Sequence, residues 1–177
     1  GRQLWFAYPT TGTATEGFRG YLVGADVDAR LEHSRREVDV DMLHLHGDGA
    51  RGDREADRLE ALRVWGAGAV ACTVDTVLGL LQNQRKGLYA WAGLAHAAVV
   101  FDEVHAYDGR LFGLLLRFLR ECPGTPTLLM TATLDAGRRS ALSGIVAEVH
   151  GLPLSPIPGP GDVEALPRYF RRHADDP

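Results

Sequence analysis

The stretch "AAVVFDEVHAYDG", Ala97–Gly109, decides how this chain is read. An unbroken apolar run ends at Phe101, and Asp102, Glu103 and His105 follow at once. A run this short and this continuous reads as a strand buried on both faces of a parallel sheet. Its polar end then falls at the carboxyl edge, where open α/β sheets bind ligands.

Two neighbouring units repeat the pattern. "GAVACTVDTVLGLL" (68–81) reads as a strand and a helix, with Thr73 or Asp75 at the junction. "PTLLMTATLDAGRRSALSGIV" (126–146) reads as another, capped by Asp135, and Asp108 is the expected N-cap of the helix after the acidic turn. "QLWFAY" (3–8), ended by Pro9, is a further buried strand. After it, Thr13 and Glu16 stand at capping-box spacing, which predicts a helix from about Ala14 to Gly24. "DMLHLHG" (41–47) reads as a strand, and "DREADRLEALRVW" (53–65) as an amphipathic helix. Residues 25–41, crowded with both signs of charge, read as a solvated surface segment. Strands alternating with helices indicate a mostly parallel sheet covered on both faces.

Composition narrows the classes. With 177 residues, 45% hydrophobic and 24% charged, the chain has the make-up of one globular domain. Its net charge of −4 excludes a broad basic field, so any nucleic-acid contact has to be local. Cys72 and Cys122 lie in no metal-ligand spacing and read as reduced thiols of a cytoplasmic protein. "LFGLLLRFL" (111–119) is too short to span a bilayer and reads as core. Beyond Gly151, four prolines in eleven residues mark a stiff connector, which divides the chain into a domain over 1–150 and a connector with tail over 151–177.

A strand that ends in adjacent acids is a Walker B arrangement. The first carboxylate holds Mg²⁺, usually through water, and its neighbour orients the attacking water. Alone, so short a match is as well explained by capping or an ion pair. Here "FDEVHAYD" (101–108) is followed one strand–helix unit later by "LLMTATL" (128–134), and the pair resembles the DExH and S/T-A-T motifs of superfamily 2 helicases. The wording "DEVHAYD" is similar to the CRISPR-associated helicase–nucleases of type I systems. "FAYPTTGTAT" (6–15), "LHLHGDGA" (43–50) and "ACTVDTVLGLL" (71–81) extend the likeness in the same order.

That resemblance implies a RecA-like first motor domain of the P-loop NTPase type. It assigns Mg²⁺ to Asp102 through water, the hydrolytic water to Glu103, and nucleotide sensing to His105, with Thr131 and Thr133 coupling hydrolysis to movement. Pro9, Thr10, Thr13, Thr73 and Asp75 would lie along single-stranded DNA, since hydroxyls and helix N-termini hold phosphates without lysine. ATP, magnesium and a Cascade-type surveillance complex are the implied cofactors and partner.

The chain departs from the pattern in two respects. Its single lysine, Lys86 in "NQRKGLYA", has no glycine loop before it and no Ser or Thr after it, so no Walker A motif is present. No His-Asp dipeptide occurs to suggest the metal-dependent nuclease. The expectation is therefore a sheet lacking the P-loop strand, belonging to a longer helicase and inactive alone. A degenerate RecA-like module that binds DNA or a protein without hydrolysis is the alternative, and a general superfamily 2 translocase is another. His44 and His46, with His33 or Asp48, read as surface groups before they read as a metal site. Trp5, Trp65 and Trp91 are expected in or near the core, and Arg138 and Arg139 on a solvated helix face.

Overall fold

The computed structural model describes residues 2–32, 66–82, 91 and 93–157. Among these, five parallel strands form one sheet: β1 (Leu4–Tyr8), β2 (Ala29–Glu32), β3 (Ala69–Thr73), β4 (Ala98–Phe101) and β5 (Thr127–Leu129). Their order is β2-β3-β1-β4-β5, with Trp5 opposite Val70 on one side and Val99 on the other. The RecA-like α/β fold expected from the sequence is the one observed.

Alternation along the strands sends successive side chains to opposite faces. Trp5 and Ala7 of β1, Val70 and Cys72 of β3, and Val99 and Phe101 of β4 enter the larger core. Three helices cover that face: α2 (Val74–Leu78), α3 (Gly109–Glu121) and α4 (Ala136–His150). Phe101 meets Phe118 of α3 edge-on, with ring centroids 5.4 Å apart. Burying either ring is worth about 1.5–3 kcal/mol. The opposite face holds Tyr8, Ala69, Ala71 and Leu31 beneath helix α1 (Thr11–Gly17) and the π-helical turn Phe18–Leu22.

Helix starts follow the sequence at three of four places, with Thr73 at the N-cap of α2. Asp108 caps α3 by accepting from the Leu111 N–H at 2.7 Å, and Asp135 caps α4 by accepting from the Arg138 N–H at 2.9 Å. Helix α1 differs. It begins at Thr11, and its capping box pairs Thr10 with Thr13, not Thr13 with Glu16. Pro9 keeps Tyr8 extended at the end of β1, and Thr10, itself extended, is the next residue with a hydroxyl able to cap.

Two further expectations are corrected. Within the segment read as solvated surface, β2 pairs with β3 and buries Leu31. Trp91, expected near the core, is 42% exposed, whereas Trp5 is fully buried. The strand read at 41–47, the helix read at 53–65, Trp65, Lys86, His33, His44, His46, Asp48 and the tail from residue 158 lie outside the described residues. Among the described residues, no helix is long and apolar enough to cross a membrane.

Candidate nucleotide and nucleic-acid site

The strand order creates a crevice at one defined place. From β1 the chain leaves toward β2 at one edge, and from β4 it leaves toward β5 at the other, so the connections diverge between neighbouring strands β1 and β4. A ligand crevice opens at such a switch point, beyond the carboxyl ends. Asp102 stands there, its N–H bonded to the Ala7 carbonyl of β1 at 3.0 Å.

The chain does not enter a helix after β4. Asp102 Oδ1 accepts the Glu103 N–H at 2.8 Å, and Glu103 adopts a left-handed backbone, φ 51° and ψ 44°. It is the one non-glycine residue with positive φ among the described residues. For an L-residue that conformation costs roughly 1–2 kcal/mol, a cost that strained functional turns commonly carry. A 3₁₀ turn, Val104–Ala106, follows, anchored in the core by Val104 and Tyr107. His105, between the two anchors, is left facing solvent.

The turn brings His105 Nδ1 to 3.1 Å from Glu103 Oε2 and 3.3 Å from Thr131 Oγ1. Thr131 has one hydroxyl proton and donates it to the Thr133 carbonyl at 2.7 Å. Its oxygen can therefore only accept from the imidazole, and an ionised Glu103 can only accept as well. Nδ1 must carry a proton, and that N–H faces two competing acceptors. Asp102, Glu103, His105, Thr131 and Thr133 are thus gathered at the tips of β4 and β5, linked by direct hydrogen bonds.

The other predicted residues line the neighbouring tips. Thr10 and Thr13 follow Pro9 at the end of β1 and are bonded mutually: the Thr13 N–H donates to Thr10 Oγ1 at 3.1 Å, and the Thr10 N–H to Thr13 Oγ1 at 3.2 Å. Thr73 occupies the N-cap position of α2 without a side-chain cap bond, and its hydroxyl lies 3.3 Å from that of Thr76. Asp75 is exposed in the first turn.

Burial shapes the electrostatics around the acids. Burial, reinforced by the Asp102 charge, pushes the Tyr8 phenol up to about 12. The same two causes raise Tyr107 further, and burial raises the Cys72 thiol, which keeps it an inert core group. The Tyr107 hydroxyl is buried and bonds to none of the described residues.

Arg138 is the residue that sequence reasoning misplaced. Instead of lying on a solvated face, its guanidinium reaches across to the turn after β4 and donates to three of its carbonyls. A pair of adjacent arginines in a helix carries no local signal for which one turns inward. Only the position of the turn decides it.

For a divalent cation the donors are few. Among the described residues no group of three His, Cys, Asp or Glu side chains converges. A half-buried carboxylate at a switch-point crevice would nevertheless suit magnesium, which keeps several waters and relies on one or two carboxylates plus substrate phosphates. Asp102 fits that description.

No family model matches the chain. It is 62% identical over 179 residues to the "Putative CRISPR-associated nuclease/helicase Cas3" of Myxococcus xanthus, covering all of this chain and 24% of that protein. It is 34% identical to the "CRISPR-associated endonuclease/helicase Cas3" of Thermus thermophilus, over 89% of this chain and 19% of that one. The crystal structure of T. fusca Cas3-ADP superposes with a TM-score of 0.59 at 25% identity, over 86% of this chain and 18% of that chain. The chain therefore spans about a quarter or less of the length of these relatives. That likeness runs across a RecA-like sheet and its acidic strand end, so the chain is similar over its whole length to one segment of CRISPR-associated Cas3 nuclease/helicases.

Proposed function

We propose that this chain works as part of a longer enzyme, a cytoplasmic ATP-dependent single-stranded-DNA translocase acting in CRISPR defence alongside a Cascade-type surveillance complex. Residues 1–150 would supply the ATP-hydrolysing edge of a first motor domain, and 151–177 a connector. The observation that carries the reading is the joining of Asp102, Glu103, His105, Thr131 and Thr133 by hydrogen bonds at the switch point of the sheet.

The chemistry asked of the protein is positioning and electrostatics, because phosphoryl transfer itself needs little covalent help. Asp102 keeps its Oδ2 for a hydrated magnesium ion, while Oδ1 is occupied by the Glu103 N–H. Magnesium, when bound, would neutralise charge developing on the β- and γ-phosphates. Glu103 would orient the attacking water and accept its proton. Its Oε1 can take that water while Oε2 accepts the His105 N–H. A proton gained by the carboxylate would weaken that pairing and leave Thr131 as the stronger acceptor of the imidazole N–H. Nucleotide state would thereby be passed from the acid to the Thr131–Thr133 segment. Pro9, Thr10, Thr13, Thr73 and Asp75 would form the rim that tracks the DNA backbone. With so few cations on that rim, affinity should fall only gently with salt.

The test is ATP hydrolysis by the full-length protein with and without single-stranded DNA. DNA-stimulated turnover that falls on the order of 100-fold or more in Asp102→Ala supports the reading. Wild-type turnover in that variant contradicts it. DNA binding by a wild-type protein that hydrolyses no ATP would point instead to a non-catalytic module.

A further inference from the structure

Arg138 sits in the first turn of α4, seven residues after Thr131, and no helicase motif in this chain includes it. Its Nη1 donates to the Val104 carbonyl at 3.4 Å and the His105 carbonyl at 3.2 Å, and its Nη2 to the Tyr107 carbonyl at 2.6 Å. Nε lies 3.5 Å from Asp135 Oδ2, and the guanidinium stacks over the Phe112 ring, 4.9 Å from its centroid. The side chain is only 25% exposed, so these charge-assisted bonds are partly shielded from water.

The geometry is specific. The turn after β4 is held internally by only two backbone bonds, from the Ala106 N–H to Glu103 and from the Tyr107 N–H to Val104. Its His105 and Tyr107 carbonyls face the planar fork of Arg138, which fixes several acceptors at once where a lysine ammonium cannot. Asp135 braces the fork while capping the same helix. Three links therefore join the turn to the chain around Thr131. A backbone bond from the Val104 N–H to the Met130 carbonyl, at 3.1 Å, holds the start of the turn, and two more reach His105 and Tyr107. One is the imidazole–hydroxyl contact, whose N–H is shared with Glu103. The other is the Arg138 clasp, whose donors meet no rival acceptor besides Asp135 among the described residues.

We infer that Arg138 is a positioning residue, holding the backbone of His105 at a fixed distance from Thr131 so that a change in the Glu103–His105 pairing reaches the Thr131–Thr133 segment. Without the clasp, the Val104–Met130 bond would still hold the start of the turn, but its His105–Tyr107 end would absorb that change itself. The inference rests on the hydrolysis reading above and adds to it the residue that makes the turn stiff enough to signal.

The experiment is a double-mutant cycle in the full-length protein, with kcat and KM for ATP measured in the presence of single-stranded DNA. Arg138→Gln should lower kcat by about 10-fold, since misplacement of an ångström far from the chemistry costs one to two orders of magnitude. KM should stay within about twofold, because the arginine touches no phosphate-binding group. In a His105→Ala background, the same substitution should cost less than about twofold further, as expected of residues acting through one contact. Arg138→Lys keeps the charge without the fork and should resemble the glutamine variant. It also carries the test if the glutamine variant melts below the assay temperature. An unchanged kcat, or equal losses in both backgrounds, would overturn the role of Arg138. Asp102→Ala run in parallel separates the two claims: if it is inactive while Arg138→Gln is fully active, only the arginine's role is lost. A fully active Asp102→Ala overturns the hydrolysis reading and the arginine's role with it.

Discussion

The ends of β1 and β4 are neighbours in the sheet, yet their polar residues are used in opposite ways. At β1 the chain turns directly into a helix, and Thr10 and Thr13 satisfy each other's backbone N–H groups in the capping box. At β4 seven residues, 102–108, intervene before α3 begins at Gly109. Glu103 is bent into a left-handed conformation, and the turn is held by side chains from β5's exit and from α4. One strand end resolves its polarity locally and without strain. The other keeps two adjacent carboxylates at the sheet edge on a strained turn that distant residues hold by its imidazole and carbonyls, a pattern that points to a functional site more than to a cap.

Substitutions at each end test that contrast. The largest structural effect is expected on the β1 side, where Tyr8 packs against Gly17 so closely that a Cβ would overlap its phenol ring. Gly17→Ala should displace Tyr8 from the core and cost about 1–3 kcal/mol, read as faster hydrogen exchange at the β1 amides. Unchanged protection there would mean the ring is free to move and the β1 end is less fixed than described.

A smaller effect of opposite sign is expected near the β4 end. Tyr107→Phe removes a buried hydroxyl with no partner among the described residues, so stability near neutral pH should hold or rise, by up to about 1 kcal/mol. The substitution also has a pH signature. An unfolded tyrosine loses its proton near pH 10, while the buried Tyr107 keeps its own to a higher pH. Above pH 10 the folded state then binds more protons, and the stability present below that pH is lost as pH rises. Alkaline unfolding, followed by tryptophan fluorescence, should therefore begin at higher pH in Tyr107→Phe than in wild type. An onset at lower pH would show that the hydroxyl is paired in the folded protein.

Much of this arrangement was legible in the residues themselves. β1, β3 and β4 are continuous apolar runs because parallel strands are covered on both faces, and Asp108 and Asp135 announce their helices by standing just before them. β2 was not legible. Its four residues bury one leucine in a charged stretch, and pairing with β3 supplies what its composition lacks. The gathering of Asp102, Glu103 and His105 near Thr131 and Thr133 followed from strand order and from motif likeness. The sharing of one imidazole N–H between Glu103 and Thr131, and the inward turn of Arg138 but not Arg139, depend on contacts between residues some thirty positions apart, which no local pattern encodes.

The central claim is that the Glu103 carboxylate acts on the water that attacks ATP, a role separable from nucleotide binding. Glu103→Gln in the full-length protein keeps the side chain's size but removes its basicity, so ATP binding and single-turnover hydrolysis can be measured on the same preparation. Binding within about twofold of wild type, with hydrolysis slowed on the order of 100-fold to 10,000-fold, is the predicted result. Hydrolysis at the wild-type rate would contradict it.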